Sequence, residues 1–267
     1  MKEQLHLTAV ILTYNEEAHI KACIDSLAWA DSILVWDSFS SDQTVAIARA
    51  AGAEVGQSTF ENYAQQRNAA LDFLAGSGCD WLFFVDADER ATDALEREIR
   101  HVIHNRPENG WYVPRHNYIF GKLTLGAGWY PDYQARLFKF GQVRYERPVH
   151  EIAQVVGQMG HLENPLVHHN YKDVAQFHKK NSGYAQYDAS ILRQEGVRPK
   201  VYTPFTQPIR HFWWRFKTLK GYTDGLHGLH LSLLMGYYEW IKYRHLKKML
   251  TEVDQERIKR NLKSESS

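Results

Sequence analysis

Trp81-Leu82-Phe83-Phe84-Val85-Asp86-Ala87-Asp88-Glu89 is an apolar run closed by three carboxylates in four residues. A run of this kind reads as a buried strand that stops at a charged edge. Along an extended chain Asp86 and Asp88 point to the same face. Two carboxylates on one face repel each other unless something positive lies between them. A hard divalent cation, Mg²⁺ or Mn²⁺, suits them, because such ions take oxygen ligands and are shared with substrate phosphates. A solvated loop after a strand carries the same letters, so the residues upstream decide.

Upstream, two periods alternate. Leu7 to Thr13 is apolar and β-rich, and Glu17 to Ala30 then places Ile20, Ile24 and Leu27 at helical spacing. Ser32 to Asp37 reads as a second strand. Ser40 and Gln43 have capping-box spacing before a helix carrying Val45, Ala48 and Ala51, which ends at Gly52. Ala53 to Gly56 is a short third strand, Ala64 to Leu74 a helix, and Asp80 to Val85 the fourth strand. Thr92 or Asp93 caps a further helix with Leu95, Ile99 and Ile103 on one face. Strands and helices alternating through short connections imply right-handed crossovers and a parallel sheet covered on both sides. Ligands gather at the carboxyl ends of such strands. Thr13-Tyr14-Asn15-Glu16, Asp37-Ser38 and Asp86–Asp88 all fall there.

Beyond Arg106-Pro107-Glu108-Asn109-Gly110 the pattern changes. Trp111 to Val113, Arg136 to Phe140 and Leu166-Val167 read as strands, with an aromatic, glycine-containing loop from Asn117 to Tyr133. Long irregular loops in compact domains are usually functional or disordered, and the aromatics argue against disorder. Asp173 to Glu195 reads as a helix and Gly196 to Pro208 as a linker. The boundaries this suggests are 1–198 for a catalytic domain and 199–267 for a helical tail.

The chain of 267 residues has a formal charge of +1, which gives no general attraction to nucleic acid. Cys23 and Cys79 lack metal-ligand spacing and fit packing roles in a reducing compartment. Met1 to His6 lacks the apolar core of a signal peptide, and no stretch reaches the roughly 18–20 apolar residues that span a bilayer. The expected location is the cytoplasm.

Val10-Ile11-Leu12-Thr13-Tyr14-Asn15-Glu16-Glu17, Val35-Trp36-Asp37-Ser38-Phe39-Ser40-Ser41-Asp42-Gln43-Thr44 and Asp86-Ala87-Asp88-Glu89 resemble, in order and spacing, glycosyltransferase family 2. With Gln66 to Leu71, Arg136-Leu137-Phe138, Val149-His150-Glu151 and His168 to Tyr171, the chain resembles more closely the branch of lipopolysaccharide core β-glucosyltransferases. The likeness covers roughly residues 5 to 240 and departs at Trp36 to Ser41, where relatives commonly carry a valine before the aspartate and Gly-Ser-Thr later.

The resemblance implies an α/β GT-A fold (a Rossmann-like mixed sheet with helices on both faces) and a C-terminal helical appendage. It also implies a nucleotide-sugar donor, a divalent cation (Mg or Mn) and inversion at the anomeric carbon. By the same likeness Asp37 holds the nucleotide base, and Asp86 approaches the ribose or a metal-bound water. Asp88 takes the cation, with Asp86 and His168 as further ligands. Thr13 and Asn15 line the nucleotide pocket, and Arg67 and Asn68 lie near it. Arg136 suits phosphate oxygens through its forked guanidinium. Inverting transfer needs a base for the acceptor hydroxyl. Glu151 is the first choice, from its place in Val149-His150-Glu151, and Asp132 in Tyr130-Pro131-Asp132 is the alternative.

The tail mixes bases with large aromatics in Arg210 to Lys220 and again in Tyr237 to Met249. Such segments suit the surface of an anionic membrane, or else they are helices packed on a core with solvated lysines. Together with the Leu- and Gly-containing stretch Gly221 to Leu234, which resembles tails of relatives with lipid-linked acceptors, they suggest peripheral attachment to the inner face of the cytoplasmic membrane. The resulting reading is hexose transfer, UDP-glucose first, to a lipid-linked or lipopolysaccharide acceptor. A nucleotidyltransferase would carry a Gly-rich, lysine-bearing loop where Thr13-Tyr14-Asn15-Glu16 stands. A non-catalytic scaffold would have no need to keep Asp37, Asp86, Asp88 and a base.

Overall fold

The structure, a computed structural model, describes residues 5–146 and 152–265, with backbone alone over 253–265. The chain forms two compact units, Met1–Asn117 with Pro131–Asn170, and Tyr118–Tyr130 with Tyr171–Ser267.

The first unit opens with β1 (Leu7–Thr13), α1 (Ile20–Ser26), β2 (Ser32–Asp37), α2 (Thr44–Ala50), β3 (Glu54–Gln57) and α3 (Tyr63–Phe73). It continues through β4 (Trp81–Asp86), β5 (Glu89–Arg90), α4 (Asp93–Asn105), β6 (Gly110–Val113) and β7 (Arg115–Ile119). After β8 (Lys122–Thr124), which belongs to the second unit, come β9 (Gln134–Lys139), β10 (Val143–Glu146), β11 (Ile152–Val155), β12 (Met159–His161) and β13 (Leu166–Tyr171). The main sheet has the order β12-β6-β9-β4-β1-β2-β3. Strands β3, β2, β1 and β4 are parallel, and β9 is antiparallel to both β4 and β6. Strand order and covering helices give the mixed α/β sheet of the GT-A fold, and a helical C-terminal segment is present.

The uninterrupted apolar letters of β1 and β4 follow from burial on both faces. Ile11, Val35, Phe83 and Val85 pack with Ile20, Ile24, Leu95 and Ile99 of α1 and α4. The alternate residues Val10, Leu12, Leu34, Leu82 and Phe84 pack with Ala70 and Leu71 of α3. Register then sets the rim. Thr13 lies opposite Asp37 and Leu12 opposite Asp86, so the acid-bearing ends of β2 and β4 flank the end of β1. At one strand spacing on each side, their backbones stand roughly 10 Å apart.

Four local expectations need correcting. The helix expected over Glu17 to Ala30 spans only Ile20–Ser26, because Leu27 and Ala30 bond back three residues, in turns, to Ile24 and Leu27. The Ser40–Gln43 capping box does not form. The Ser40 hydroxyl goes to the buried Asp37 carboxylate, and Asp42 accepts the Thr44 N–H at 3.0 Å instead. The loop from Asn117 to Tyr133 contains the end of β7 and all of β8. The linker expected over Gly196 to Pro208 contains the start of a helix, since Pro204 fits a first turn where no N–H is needed.

In the second unit α5 (Val174–Gln194) is capped by Asp173, which accepts the Gln176 N–H at 2.8 Å. Then follow α6 (Thr203–Trp213), extended by a π-helical turn over Trp214–Thr218, and α7 (Gly225–Glu265). Phe177, Leu231 and Tyr238 form the core of this unit with Ile119 and Tyr171. Gly228 permits the close approach at the start of α7, where a Cβ would collide with the Gly221 carbonyl oxygen. Among the described residues no helix is long and apolar enough to cross a membrane.

Phe83 is fully buried at the centre of the sheet. Phe83→Ala is expected to lower unfolding free energy by about 3–5 kcal/mol, read as an earlier urea midpoint, whereas Phe73→Ala at the half-exposed end of α3 shifts it far less.

Candidate functional site

Thr13, Asn15 and Asp37 form one hydrogen-bonded group. The Asp37 carboxylate is wholly buried and accepts bonds from the Thr13 hydroxyl (3.1 Å), the Gln57 amide (2.9 Å), and both the N–H (2.9 Å) and the hydroxyl of Ser40. Asn15 adopts a left-handed backbone, φ 55°, a conformation asparagine tolerates better than most residues. Its N–H donates to the Ser40 oxygen and its side-chain oxygen accepts the Ser41 N–H, both at 2.8 Å. These bonds tie the end of β1 to the loop after β2 and give the rim a fixed shape. Gln57 and Ser40 are parts of this group that sequence reading did not find.

The carboxylates after β4 belong to a closed polar ring. Arg136 on β9 reaches Asp86 with both terminal nitrogens, one at 3.1 Å. One of those nitrogens also lies 2.7 Å from Glu89. Glu89 is fully buried and accepts the Asp86 N–H at 3.0 Å. Arg115 on β7 joins Glu89 (3.3 Å) to Asp132, which it meets through Nε (2.9 Å) and Nη2 (2.6 Å). Asn117 donates to Asp132 at 3.0 Å and shares its oxygen with His168 Nδ1 at 2.7 Å. His168 Nε2 stands 3.5 Å from Asp88, which brings the ring back to its starting motif. β5 contributes by pairing Glu89 with His168 of β13.

The structure thus gathers Asp86, Asp88, Asp132, Arg136 and His168. Arg67 joins from α3, its Nη2 3.8 Å from Asp86 and its guanidinium 5.3 Å from the centres of the Phe84 and Tyr145 rings. Asn68 turns elsewhere, clipping the Tyr145 main chain with bonds of 2.8 and 3.0 Å. Glu151 lies outside the described residues. Arg115, Asn117 and Glu89 were not assigned from sequence. Glu89 had a visible signal, the third carboxylate of the motif, whereas Arg115 had none.

Charge follows geometry. Burial alone would raise the Asp86 pKa, but Arg136, then Arg67 and Arg115, hold it well below the usual carboxylate range. Burial is likewise overcome at Asp132, by Arg115 and by bonds from Asn117 and Gln134. Burial raises Cys23, a thiol 3.6 Å from the Asp86 carbonyl, so it is a packing group rather than a nucleophile.

Among the described residues no cluster of three His, Cys, Asp or Glu side chains is arranged to hold a metal. The donors that fit a hard cation are Asp88, partly open to solvent, and the neighbouring His168. Asp86 faces Arg136. This set suits an ion held by few protein ligands and completed by phosphate oxygens and water.

The Glycosyl transferase family 2 model matches residues 8–150. A lipopolysaccharide core biosynthesis glycosyltransferase, LpsC of Rhizobium meliloti (strain 1021), is 29% identical over 95% of this chain and 98% of its own length. An uncharacterized glycosyltransferase of Rickettsia bellii (strain RML369-C) is 23% identical over 97% of this chain and 92% of its own. Glucosyl-3-phosphoglycerate synthase from Mycobacterium tuberculosis, solved with Mn²⁺, UDP and glucosyl-3-phosphoglycerate, aligns with a TM-score of 0.48 and 17% identity over 73% of this chain and 82% of its own.

The ring carries a pH signature. Asp86 and Asp132 have folded-state values below the ordinary 3.8, so their stabilisation is complete above that pH. It is lost as pH falls through the lower folded-state values. Urea midpoints are expected to drop from pH 6 to pH 3, and less steeply in Asp86→Asn. An equal slope in that variant would remove Asp86 from the account.

Proposed function

The chain belongs to glycosyl transferase family 2, and from that premise we propose that it transfers a hexose, with inversion, from a nucleoside diphosphate sugar to a cell-envelope glycan. UDP-glucose is the first donor to try, and a lipopolysaccharide inner core the first acceptor. One observation carries the reading. Residues from five strands, spread from Asp86 to His168, close a ring that joins Asp132 to the Asp86–Asp88 motif.

In this reading Thr13, Asn15 and Asp37 act by holding the β1 and β2 ends in the shape that receives the base and ribose. Arg136 holds Asp86 in place, a role that replaces direct phosphate pairing. Arg67 adds positive charge near the same carboxylate, and Asn68 supports α3. Asp88 and His168 would hold Mg²⁺ or Mn²⁺, which when bound supplies Lewis-acid stabilisation of the departing diphosphate. Asp132 takes the acceptor proton as the hydroxyl oxygen bonds to the anomeric carbon and the bond to diphosphate breaks. Arg115 and Asn117 orient the Asp132 carboxylate, which supports Asp132 as the base to test first, with Glu151, outside the described residues, as the alternative.

The second unit supports peripheral attachment to the anionic inner face of the cytoplasmic membrane. α6 has no fully buried residue, and Phe205, Ile209 and Trp213 stand exposed at four-residue spacing beside Arg210. An apolar stripe flanked by bases suits a membrane interface.

Two measurements test the site. Mn²⁺ with UDP-glucose is expected to raise the thermal midpoint above either alone, and Asp88→Ala to abolish the cooperative increment. No stabilisation by any nucleotide sugar would remove the proposed donor class. In transfer assays Asp132→Asn is expected to lower kcat by about 10²–10⁴ with little change in donor affinity, while Glu151→Gln stays near wild type. The opposite pattern would return the base to Glu151.

A further inference from the structure

A groove of about 640 Å³ runs between the start of α6 and the middle of α7, wholly within the second unit. That volume lies in the range of small-molecule sites. Phe205 stands on one side, 66% exposed, and Trp240 and Tyr243 on the other. Arg244, Lys247 and Lys248 continue the α7 wall. The α7 positions recur every three or four residues, so they form one helical face that changes along its length from aromatic to cationic. Arg244 joins the two halves, its guanidinium 4.6 Å from the centre of the Trp240 ring. Glu252 also lines the groove, and it lies 4.0 Å from Lys248. Even with this pair set aside, two cations border an aromatic channel.

We propose that this groove binds one anionic phospholipid, its acyl chains along Phe205, Trp240 and Tyr243 and its phosphate at Arg244, Lys247 and Lys248. Charge complementarity selects the occupant. A purely apolar partner would leave the cations unmatched. A free phosphate would leave the aromatic half bare, and a nucleotide could stack its base there but would not reach the exposed apolar stripe of α6 that shares Phe205 with the groove. A lipid with a phosphate diester satisfies both halves. The proposal rests on the membrane reading above and goes beyond it, since surface attraction alone requires no discrete site. It also accounts for the placement of the groove, which shares Phe205 with the exposed stripe of α6.

The probe is dihexanoyl phosphatidylglycerol below its micelle concentration, titrated calorimetrically into the full chain. Saturable binding with a stoichiometry of one is expected. The double variant Lys247→Glu, Lys248→Glu should weaken it at least about tenfold, because each base near an anionic lipid contributes on the order of a factor of five. Phe205→Ala, at an exposed position, should weaken it independently. Zwitterionic dihexanoyl phosphatidylcholine should bind more weakly, and glycerol 3-phosphate, which lacks chains, should not bind. Equal binding of glycerol 3-phosphate, or wild-type affinity in both variants, overturns the proposal. Flotation with phosphatidylglycerol vesicles separates the two readings. Flotation without saturable binding of the short-chain lipid sinks the groove and leaves peripheral attachment standing; failure of both assays sinks both.

Discussion

A carboxylate with no solvent exposure cannot remain charged without compensation, and Glu89 is such a carboxylate. Its compensation is spread over two arginines and one backbone N–H. Neither arginine is dedicated to it. Arg136 also holds Asp86 with both terminal nitrogens, and Arg115 turns its Nε and Nη2 to Asp132. The demand of one buried acid therefore fixes the positions of two others that the proposed chemistry uses. A buried ion network adds little net stability over apolar packing, but breaking it on one side is costly, so it serves better to define geometry than to hold the fold together.

The same economy of purpose appears at the neighbouring strand end. Asp37 accepts four bonds from side chains and backbone on β1, β3 and the loop between β2 and α2. A carboxylate so occupied acts on a ligand mainly through the loop it holds. The proposed reading puts function on this rim; the bonds indicate how the residues there would exert it. Two kinds of acid thus stand on the rim. Asp37 and Glu89 are buried and structural in their contacts, while Asp86 and Asp88 retain some access to solvent.

The parallel core was legible because burial on both faces writes itself into continuous apolar strands, and Leu7–Thr13 and Trp81–Asp86 have that form. The strand-end motifs were legible because sheet topology places carboxyl ends together. Helix termini were less so. Ser40 had the spacing of a cap, but a buried carboxylate nearby was the better partner. Glu89 was given no role of its own, since its arginines lie 26 and 47 residues away in sequence. Asn68 sat beside Arg67 in a suggestive motif, yet on a helix adjacent positions point about 100° apart, and only Arg67 turns to the rim. Pair contacts between distant strands leave no local pattern to read.

The second unit shows the complementary limit. Its basic and aromatic letters fit a packed helix pair and a membrane surface equally well, because both place apolar groups on one stripe and cations beside it. Exposure separates the two. Phe177, Leu231 and Tyr238 are buried and account for packing, whereas Phe205, Ile209 and Trp213 remain open on α6 after that packing is complete. Large apolar side chains left exposed in a row are unusual for a surface that meets only water. The aromatic content of the tail thus divides into residues that fold the unit and residues left over from folding. The second set is what the proposed attachment to lipid rests on.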